Sequence, residues 1–170
     1  MKTRNFMTRD VTCITPNDNL KQAYEMMCDQ EIRHLLVVEG PNQLVGLISE
    51  RDILLRAAYV NGVINVPEID VGLVMTTEIV TCKPSHQLHD VAEIMLQRRI
   101  DAIPVTDSSG EVLGIITSAD FVEIAARKER DDLSDFNPLP FDFSVTRFDH
   151  PSNSSSKSRI RPQIYDANAQ

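Results

Sequence analysis

The order of apolar and polar positions along the chain predicts short strands alternating with amphipathic helices. A β-branched run closed by Pro16 predicts a strand, and apolar residues then recur at helical spacing, with Asn17 or Asp18 placed to cap the helix. In the first half we expect strands over 10–15, 34–38 and 43–48, a helix with Leu20, Ala23, Tyr24, Met27 and Cys28 inward, and a helix over 52–60 with Ile53, Leu54, Ala57 and Ala58 inward. Asn61-Gly62 should end the second helix.

The same pattern returns in the second half, so the chain contains an internal repeat. Residues 7–57 align with 75–125 without a gap at an offset of 68, and twelve of the fifty-one pairs are identical. The second copy predicts a strand over 79–82, a helix from Ser85 or His86 with Leu88, Val91, Ala92, Met95 and Leu96 inward, strands over 102–106 and 112–116, and a helix over 118–128. Two βαββα units of this size should pack together about a pseudo-twofold axis and form two equivalent clefts. The predicted fold class is α+β.

Composition and charge narrow the functional classes. Of the 170 residues, 42% are hydrophobic and 25% charged, which is ordinary for a globular protein. The net charge of −8 argues against a nonspecific nucleic-acid binder. Cys13, Cys28 and Cys82 form no CxxC pair, so we expect them reduced, mostly buried and without a metal. The sequence shows no signal peptide or membrane span, and we expect a cytoplasmic protein.

Each copy ends in a strand, a hydroxyl residue and, three positions later, an aspartate at the start of a helix. The two pairs are Ser49 with Asp52 and Thr117 with Asp120. Because a helix N-terminus attracts anions, this combination suits the phosphate and ribose of a nucleotide. The same spacing is also close to a capping box, in which the pair only satisfies unpaired N–H groups of the helix. Capping and binding can coexist, and two matched copies favour a ligand role.

These features resemble a known family. The βαββα repeat, the strand of residues 32–38 with its counterpart at 100–105, and the Gly-x-x-Ser/Thr-x-x-Asp end of each copy resemble tandem cystathionine-beta-synthase (CBS) motifs over roughly residues 5–128. The resemblance implies a compact Bateman module that binds adenosine-containing ligands in its two clefts. It also implies that two modules pair as a disc-like homodimer.

The resemblance further implies how each cleft is built, with the hydroxyl and aspartate of one motif facing strands of the other. One cleft would place Thr117 near a phosphate and Asp120 on the ribose hydroxyls, opposite Cys13, Ile14, Arg33, His34, Leu35 and Leu36. The other would hold Ser49, Arg51 and Asp52, opposite Cys82, Lys83, Asp101, Ala102, Ile103 and Pro104.

The two copies differ at positions that affect the charge of the clefts. Asp101 stands where the first copy has Arg33, and a carboxylate there would repel a phosphate. We therefore expect unequal pockets. The Asp120 pocket would accept AMP or a polyphosphate if Arg33 turns inward, although Arg33 and His34 are equally well explained as a polar strand edge. The Asp52 pocket would prefer a less anionic ligand unless Arg51 compensates.

Together these inferences predict a stand-alone, non-catalytic regulatory module. It would sense AMP, ADP, ATP, NAD or S-adenosylmethionine, require no cofactor, form a homodimer and regulate another protein, with neither nucleic acid nor membrane as a partner. No P-loop, dinucleotide fingerprint or nucleophile–base pair occurs. The alternative is a ligand-free dimerisation or interaction scaffold. We expect the first motif and its connector over 1–68, the second motif over 69–130 and a tail over 131–170, either flexible or docked on the module or a second subunit.

Overall fold

The computed structural model describes residues 1–131, so the predicted tail lies outside the described residues apart from its first position. The α+β class is confirmed. The helices are α1 Leu20–Gln30, α2 Glu50–Leu54, α3 Leu88–Arg98 and α4 Ser118–Asp131, and the strands are β1 Cys13–Ile14, β2 His34–Glu39, β3 Gln43–Ser49, β4 Ala58–Val60, β5 Val63–Asn65, β6 Ala102–Thr106 and β7 Val112–Thr117. Short 3₁₀ turns occupy Thr3–Asn5 and Val71–Leu73. No helix within this range is long and apolar enough to cross a membrane.

Each repeat is built on an antiparallel strand pair. β2 pairs with β3 so that His34 lies opposite Ser49, and β6 pairs with β7 so that Ala102 lies opposite Thr117, the same register 68 positions later. β1 joins β2 in parallel. The strands expected over 10–15 and 79–82 were too long, since only β1 and a single bridge from Cys82 to Val105 form. The residues before these pairings line clefts instead of extending the sheets.

The second helix of the first repeat is shorter than its apolar pattern predicted. α2 ends at Leu54, and residues 58–65 form the β4–β5 hairpin instead of continuing the helix. The turn is Asn61-Gly62, with φ of +52° and +84°. Both central residues of a tight hairpin turn take positive φ, which Asn-Gly adopts at low cost. The inward assignment of Leu54 and Ala58 was therefore wrong, and both are exposed.

Helix starts also differ from the sequence-based expectation. The N-cap of α1 is Asn19, whose side chain accepts a 2.8 Å bond from the Lys21 N–H. Asp18 instead accepts from the backbone and hydroxyl of Thr15, which fixes the preceding turn. α3 begins at Leu88, later than the predicted start. Cys28 and Leu96, predicted to face inward, are exposed, and of the three cysteines only Cys82 is fully buried.

The two hydrophobic cores exchange segments. The first-repeat core includes Val66 and Val71, which precede the second repeat in the chain, and Phe6 and Met7 pack against the second-repeat core. Backbone bonds repeat this exchange. The Leu20 N–H donates to the Ile69 carbonyl at 2.8 Å, and 68 positions away the Leu88 N–H donates to the Met1 carbonyl at 2.9 Å. Each repeat is thus completed by the segment that leads into the other.

Two backbone bridges join the repeats beside the clefts. Thr8 and Ile115 exchange two hydrogen bonds of 2.9 Å, and Leu47 and Thr76 exchange bonds of 3.0 and 2.8 Å. Glycine precedes the β3 or β7 residue in both bridges. A Cβ on Gly114 would lie 2.5 Å from the Thr8 carbonyl oxygen, so this close approach requires glycine.

Candidate functional site

The larger of two clefts between the repeats has a volume of about 790 Å³. It lies where β3 ends and α2 begins, across from the chain entering the second repeat. Its lining consists of Arg33, His34, Leu47, Ser49, Glu50, Arg51, Asp52, Leu54, Leu55, Thr76, Glu78, Ile79, Val80, Arg99, Ile100, Asp101 and Ala102. This size falls within the range of small-molecule sites.

The smaller cleft, of about 330 Å³, occupies the pseudo-symmetric position where β7 ends and α4 begins. Its lining consists of Thr8, Asp10, Val11, Thr12, Gln30, Glu31, Ile32, Arg33, His34, Leu36, Ile115, Thr117 and Ala119. Almost every one of these positions has its counterpart, 68 residues away, in the larger cleft. The repeat therefore produces two equivalent but unequal clefts.

The hydroxyl–aspartate pairs form the helix caps that their spacing allowed. Ser49 is the N-cap of α2 in a complete capping box: its N–H and hydroxyl donate to Asp52 Oδ2 at 2.9 and 2.6 Å, and the Asp52 N–H donates to Ser49 Oγ at 3.2 Å. The Thr117 N–H and hydroxyl likewise donate to Asp120 Oδ2 at 2.6 and 2.8 Å. The cap occupies one carboxylate oxygen. Oδ1 of each aspartate accepts no hydrogen bond from the described residues.

The two clefts differ in charge. Arg33, Arg51 and Arg99 line the larger cleft, together with four carboxylates, those of Glu50, Asp52, Glu78 and Asp101. Among the described residues, Arg33 is the only arginine or lysine that lines the smaller cleft, together with Asp10 and Glu31. All three arginines have exposed side chains without an ion pair to any described residue. The larger cleft thus offers three guanidinium groups to a phosphate and the smaller cleft one, while carboxylates outnumber arginines by one in each lining.

His34 lies at the start of β2 and lines both clefts. Burial lowers the pKa of His34, the Arg33 charge lowers it further, and the carboxylates of Asp101 and Asp52 oppose this shift. His34 is therefore neutral at pH 7, where it serves as a hydrogen-bonding group rather than a cation.

Of the residues predicted for the Asp52 cleft, five line it: Ser49, Arg51, Asp52, Asp101 and Ala102. Four do not. Cys82, Ile103 and Pro104 are buried. The Lys83 ammonium donates to the Thr106 hydroxyl at 3.3 Å and to the Asp107 carbonyl, at the far end of β6.

Of the residues predicted for the Asp120 cleft, Arg33, His34, Leu36 and Thr117 line it. Asp120 accepts a hydrogen bond from the Thr117 hydroxyl and does not itself line the cleft. Ile14 and Leu35 belong to the first-repeat core, and Cys13 is half-buried with its thiol pKa raised by burial. Arg33 and His34 were assigned to this cleft alone, and the structure corrects that assignment because they line the larger cleft as well.

Sequence reasoning missed the segment that closes the larger cleft. Thr76, Glu78, Ile79 and Val80 form this wall, and Arg99 joins it from the C-cap of α3, where its φ is +54°. The prediction placed the facing strand residues at 82–83. The repeat offset relates the two walls, since residues 76–80 correspond to residues 8–12, which line the other cleft at Thr8, Asp10, Val11 and Thr12.

Comparison with known proteins agrees with this architecture. The chain is 36% identical over 107 residues to inosine-5′-monophosphate dehydrogenase of Nitrosopumilus maritimus, covering 63% of this chain and 21% of that enzyme. It is 34% identical over 118 residues to homoserine O-acetyltransferase of Methanocorpusculum labreanum, covering 69% and 23%. The chain therefore spans less than a quarter of the length of these two curated relatives.

Two solved structures share the fold over almost their entire length. The CBS domain pair of protein MJ0100, crystallised with 5′-methylthioadenosine and S-adenosyl-L-methionine, superposes with a TM-score of 0.66 at 23% identity, covering 75% of this chain and 98% of that one. CBSX2 in complex with AMP gives a TM-score of 0.64 at 25% identity, covering 76% and 98%. The family model of the CBS domain matches twice, at residues 4–59 and 69–127. The chain therefore belongs to the CBS-domain family and carries two copies of the domain.

Proposed function

We propose that this chain is a regulatory module that binds an adenosine-containing ligand, with AMP the best fit, in the larger cleft. The observation that carries the proposal is that three arginines, Arg33, Arg51 and Arg99, line that cleft with exposed side chains that form no ion pair with the described residues. Guanidinium groups bind phosphate bidentately. The sequence favoured a less anionic ligand for this cleft unless Arg51 compensates for Asp101, and both Arg51 and Arg99 line the cleft beside Asp101.

The remaining parts of AMP have matching groups in the same cleft. The cap hydrogen bonds go to Oδ2 of Asp52, which leaves Oδ1 as an acceptor. A carboxylate oxygen can accept hydrogen bonds from ribose hydroxyls. Ile79, Val80 and Ile100 supply an apolar wall for the adenine ring. Ser49 and Arg51 stand beside Asp52 at the start of α2, where the phosphate would be held.

Related proteins support an adenosyl ligand without fixing which one binds here. CBSX2 was solved with AMP, and the MJ0100 pair with S-adenosylmethionine and methylthioadenosine. ADP, ATP, NAD and S-adenosylmethionine are therefore the alternatives to AMP. The proposed role is binding without catalysis, and the Ser49 and Thr117 hydroxyls donate to Asp52 and Asp120 in the helix caps.

Isothermal titration calorimetry with AMP, ADP, ATP, NAD and S-adenosylmethionine tests the proposal. We expect AMP to bind, and Arg51→Ala and Arg99→Ala to weaken it by about tenfold each, the loss of a charge-assisted hydrogen bond. Arg98→Ala is the matched control, because Arg98 is an exposed neighbour of Arg99 outside the cleft. No heat of binding with any of the five ligands would remove the proposed function.

The output of the module would pass through a homodimer and a regulated protein. The observation favouring a protein interface is a set of exposed apolar side chains beside or on the helices: Leu55 is 74% exposed, Leu96 79% and Val122 70%. This surface also suits the second candidate, a ligand-free scaffold. Thermal melting separates the two, since a ligand at 100 times its dissociation constant adds about 2.7 kcal/mol to stability and a scaffold shows no such shift.

A further inference from the structure

The two clefts meet at the start of β2. Among the described residues, only Arg33 and His34 line both of them. The Arg33 carbonyl accepts a 2.9 Å bond from the Glu50 N–H, which fixes the backbone here at the start of α2. The Arg33 guanidinium is exposed and makes no hydrogen bond or ion pair with the described residues.

The counterpart of Arg33 does not supply a second cation. Asp101 occupies that position in the second repeat, where its carbonyl accepts a 2.9 Å bond from the Ser118 N–H in the same way. Asp101 lines the larger cleft at the place that corresponds to Arg33 in the smaller cleft. Among the described residues, Arg33 is therefore the only arginine or lysine shared by the two clefts.

The clefts depend on this cation to different degrees. The larger cleft has Arg51 and Arg99 besides Arg33. Among the described residues, Arg33 is the only cation that lines the smaller cleft beside Asp10 and Glu31, because burial and the Arg33 charge keep His34 neutral at pH 7. Without Arg33, a phosphate in the smaller cleft would face two carboxylates and no counter-charge from the described residues.

We propose that Arg33 couples the two clefts negatively: a phosphorylated ligand in the larger cleft draws the guanidinium away and weakens phosphate binding in the smaller one. This inference rests on the proposed function. It applies to AMP but not to adenosine, which has no phosphate to compete for Arg33. Coupling of this kind is reciprocal, so each site lowers the affinity of the other by the same factor.

Site-resolved NMR titration of the full chain with AMP tests the coupling. The amides of Thr76 and Ala119 report on the larger and the smaller cleft separately. Arg51→Gln removes a cation that lines only the larger cleft and should weaken AMP binding there. Arg33 would then be released, and the AMP affinity of the smaller cleft should rise by about fivefold or more.

Arg33→Gln completes the cycle. In the Arg33→Gln background, Arg51→Gln should no longer change the AMP affinity of the smaller cleft, and with adenosine it should change nothing there in either background. Both side chains are exposed, so both variants should fold. The coupling is disproved if Arg51→Gln leaves the AMP affinity of the smaller cleft unchanged, if no AMP binds in the smaller cleft, or if the effect persists without Arg33. No AMP-induced shift in either cleft would instead remove the proposed function.

Discussion

Alanine at Gly114 tests whether the backbone bridge between the repeats holds the module together. The added Cβ would lie 2.5 Å from the Thr8 carbonyl oxygen and 3.2 Å from Met7 Sδ. The carbonyl belongs to a backbone that exchanges two 2.9 Å hydrogen bonds with Ile115, and it cannot rotate aside as a side chain can. Relief therefore requires the Thr8 segment to move away from β7.

The cost follows from the bonds and the packing that this movement disturbs. Two backbone hydrogen bonds contribute about 0.5–1.5 kcal/mol each. Forcing an extra methyl into a packed interface costs a further 1–3 kcal/mol or so. We therefore expect Gly114→Ala to lower the free energy of unfolding by about 2–6 kcal/mol, a large part of the stability of a typical domain.

Gly46→Ala is the matched control, because Gly46 is the counterpart of Gly114 in the first repeat. Its Cβ would meet Met75 Sδ at 2.3 Å and Val37 Cβ at 3.1 Å, with no backbone atom among its nearest neighbours. A thioether at the end of a flexible side chain can swing away, so we expect a loss of about 1 kcal/mol. Urea denaturation of the two variants measures both values. Equal losses would refute the argument that the fixed carbonyl of Thr8 makes the difference.

Two further predictions concern the helices and the buried thiol. Asn19→Ala should lower the free energy of unfolding, measured by urea denaturation, by about 1 kcal/mol, because the Asn19 side chain caps α1. Gln87→Ala should lower it by almost nothing, because Gln87, the equivalent residue at the start of α3, makes no cap bond. Similar losses for the two variants would contradict the assignment of Asn19 as a cap. Burial raises the pKa of Cys82 to about 11, so the folded state holds this proton more tightly and stability should fall as pH rises from about 9 to 11. Cys82→Ala should reduce that fall, and an unchanged pH profile would count against it.

The internal repeat made most of the fold predictable. The prediction was least accurate for the chain between the two copies. Short apolar runs bounded by turn residues placed β2, β3, β6 and β7 to within one residue, and β2 and β6 are buried over consecutive positions. After Asp52 the apolar run Ile53-Leu54-Leu55 continued a helical pattern that α2 does not follow. Asn-Gly at 61–62 strongly favours a hairpin turn, and this local preference prevails over the helical periodicity of the preceding residues.

The candidate site was predictable where local geometry determines it. Ser49 with Asp52 and Thr117 with Asp120 lie at helix starts because the spacing itself forms the cap. The opposite walls depend on packing between repeats, which no local pattern encodes. The wall containing Thr76 and Val80 was missed for this reason, and so was the position of Arg33 between the clefts.

The exchange of segments between the repeats would let a ligand in the larger cleft act on both repeats, as the proposed regulatory role requires. The larger cleft takes one wall from the first repeat and the other from the chain that enters the second, and the Leu47–Thr76 bridge joins the two walls. A ligand that contacts both walls binds most tightly at one spacing between the repeats, so it shifts the population toward that arrangement by its difference in affinity. Because Val66 and Val71 tie the entering segment into the first core, a change in this spacing must reach both cores. A ligand that contacts one wall alone would bind equally well at any spacing between the repeats, so it would not shift this population.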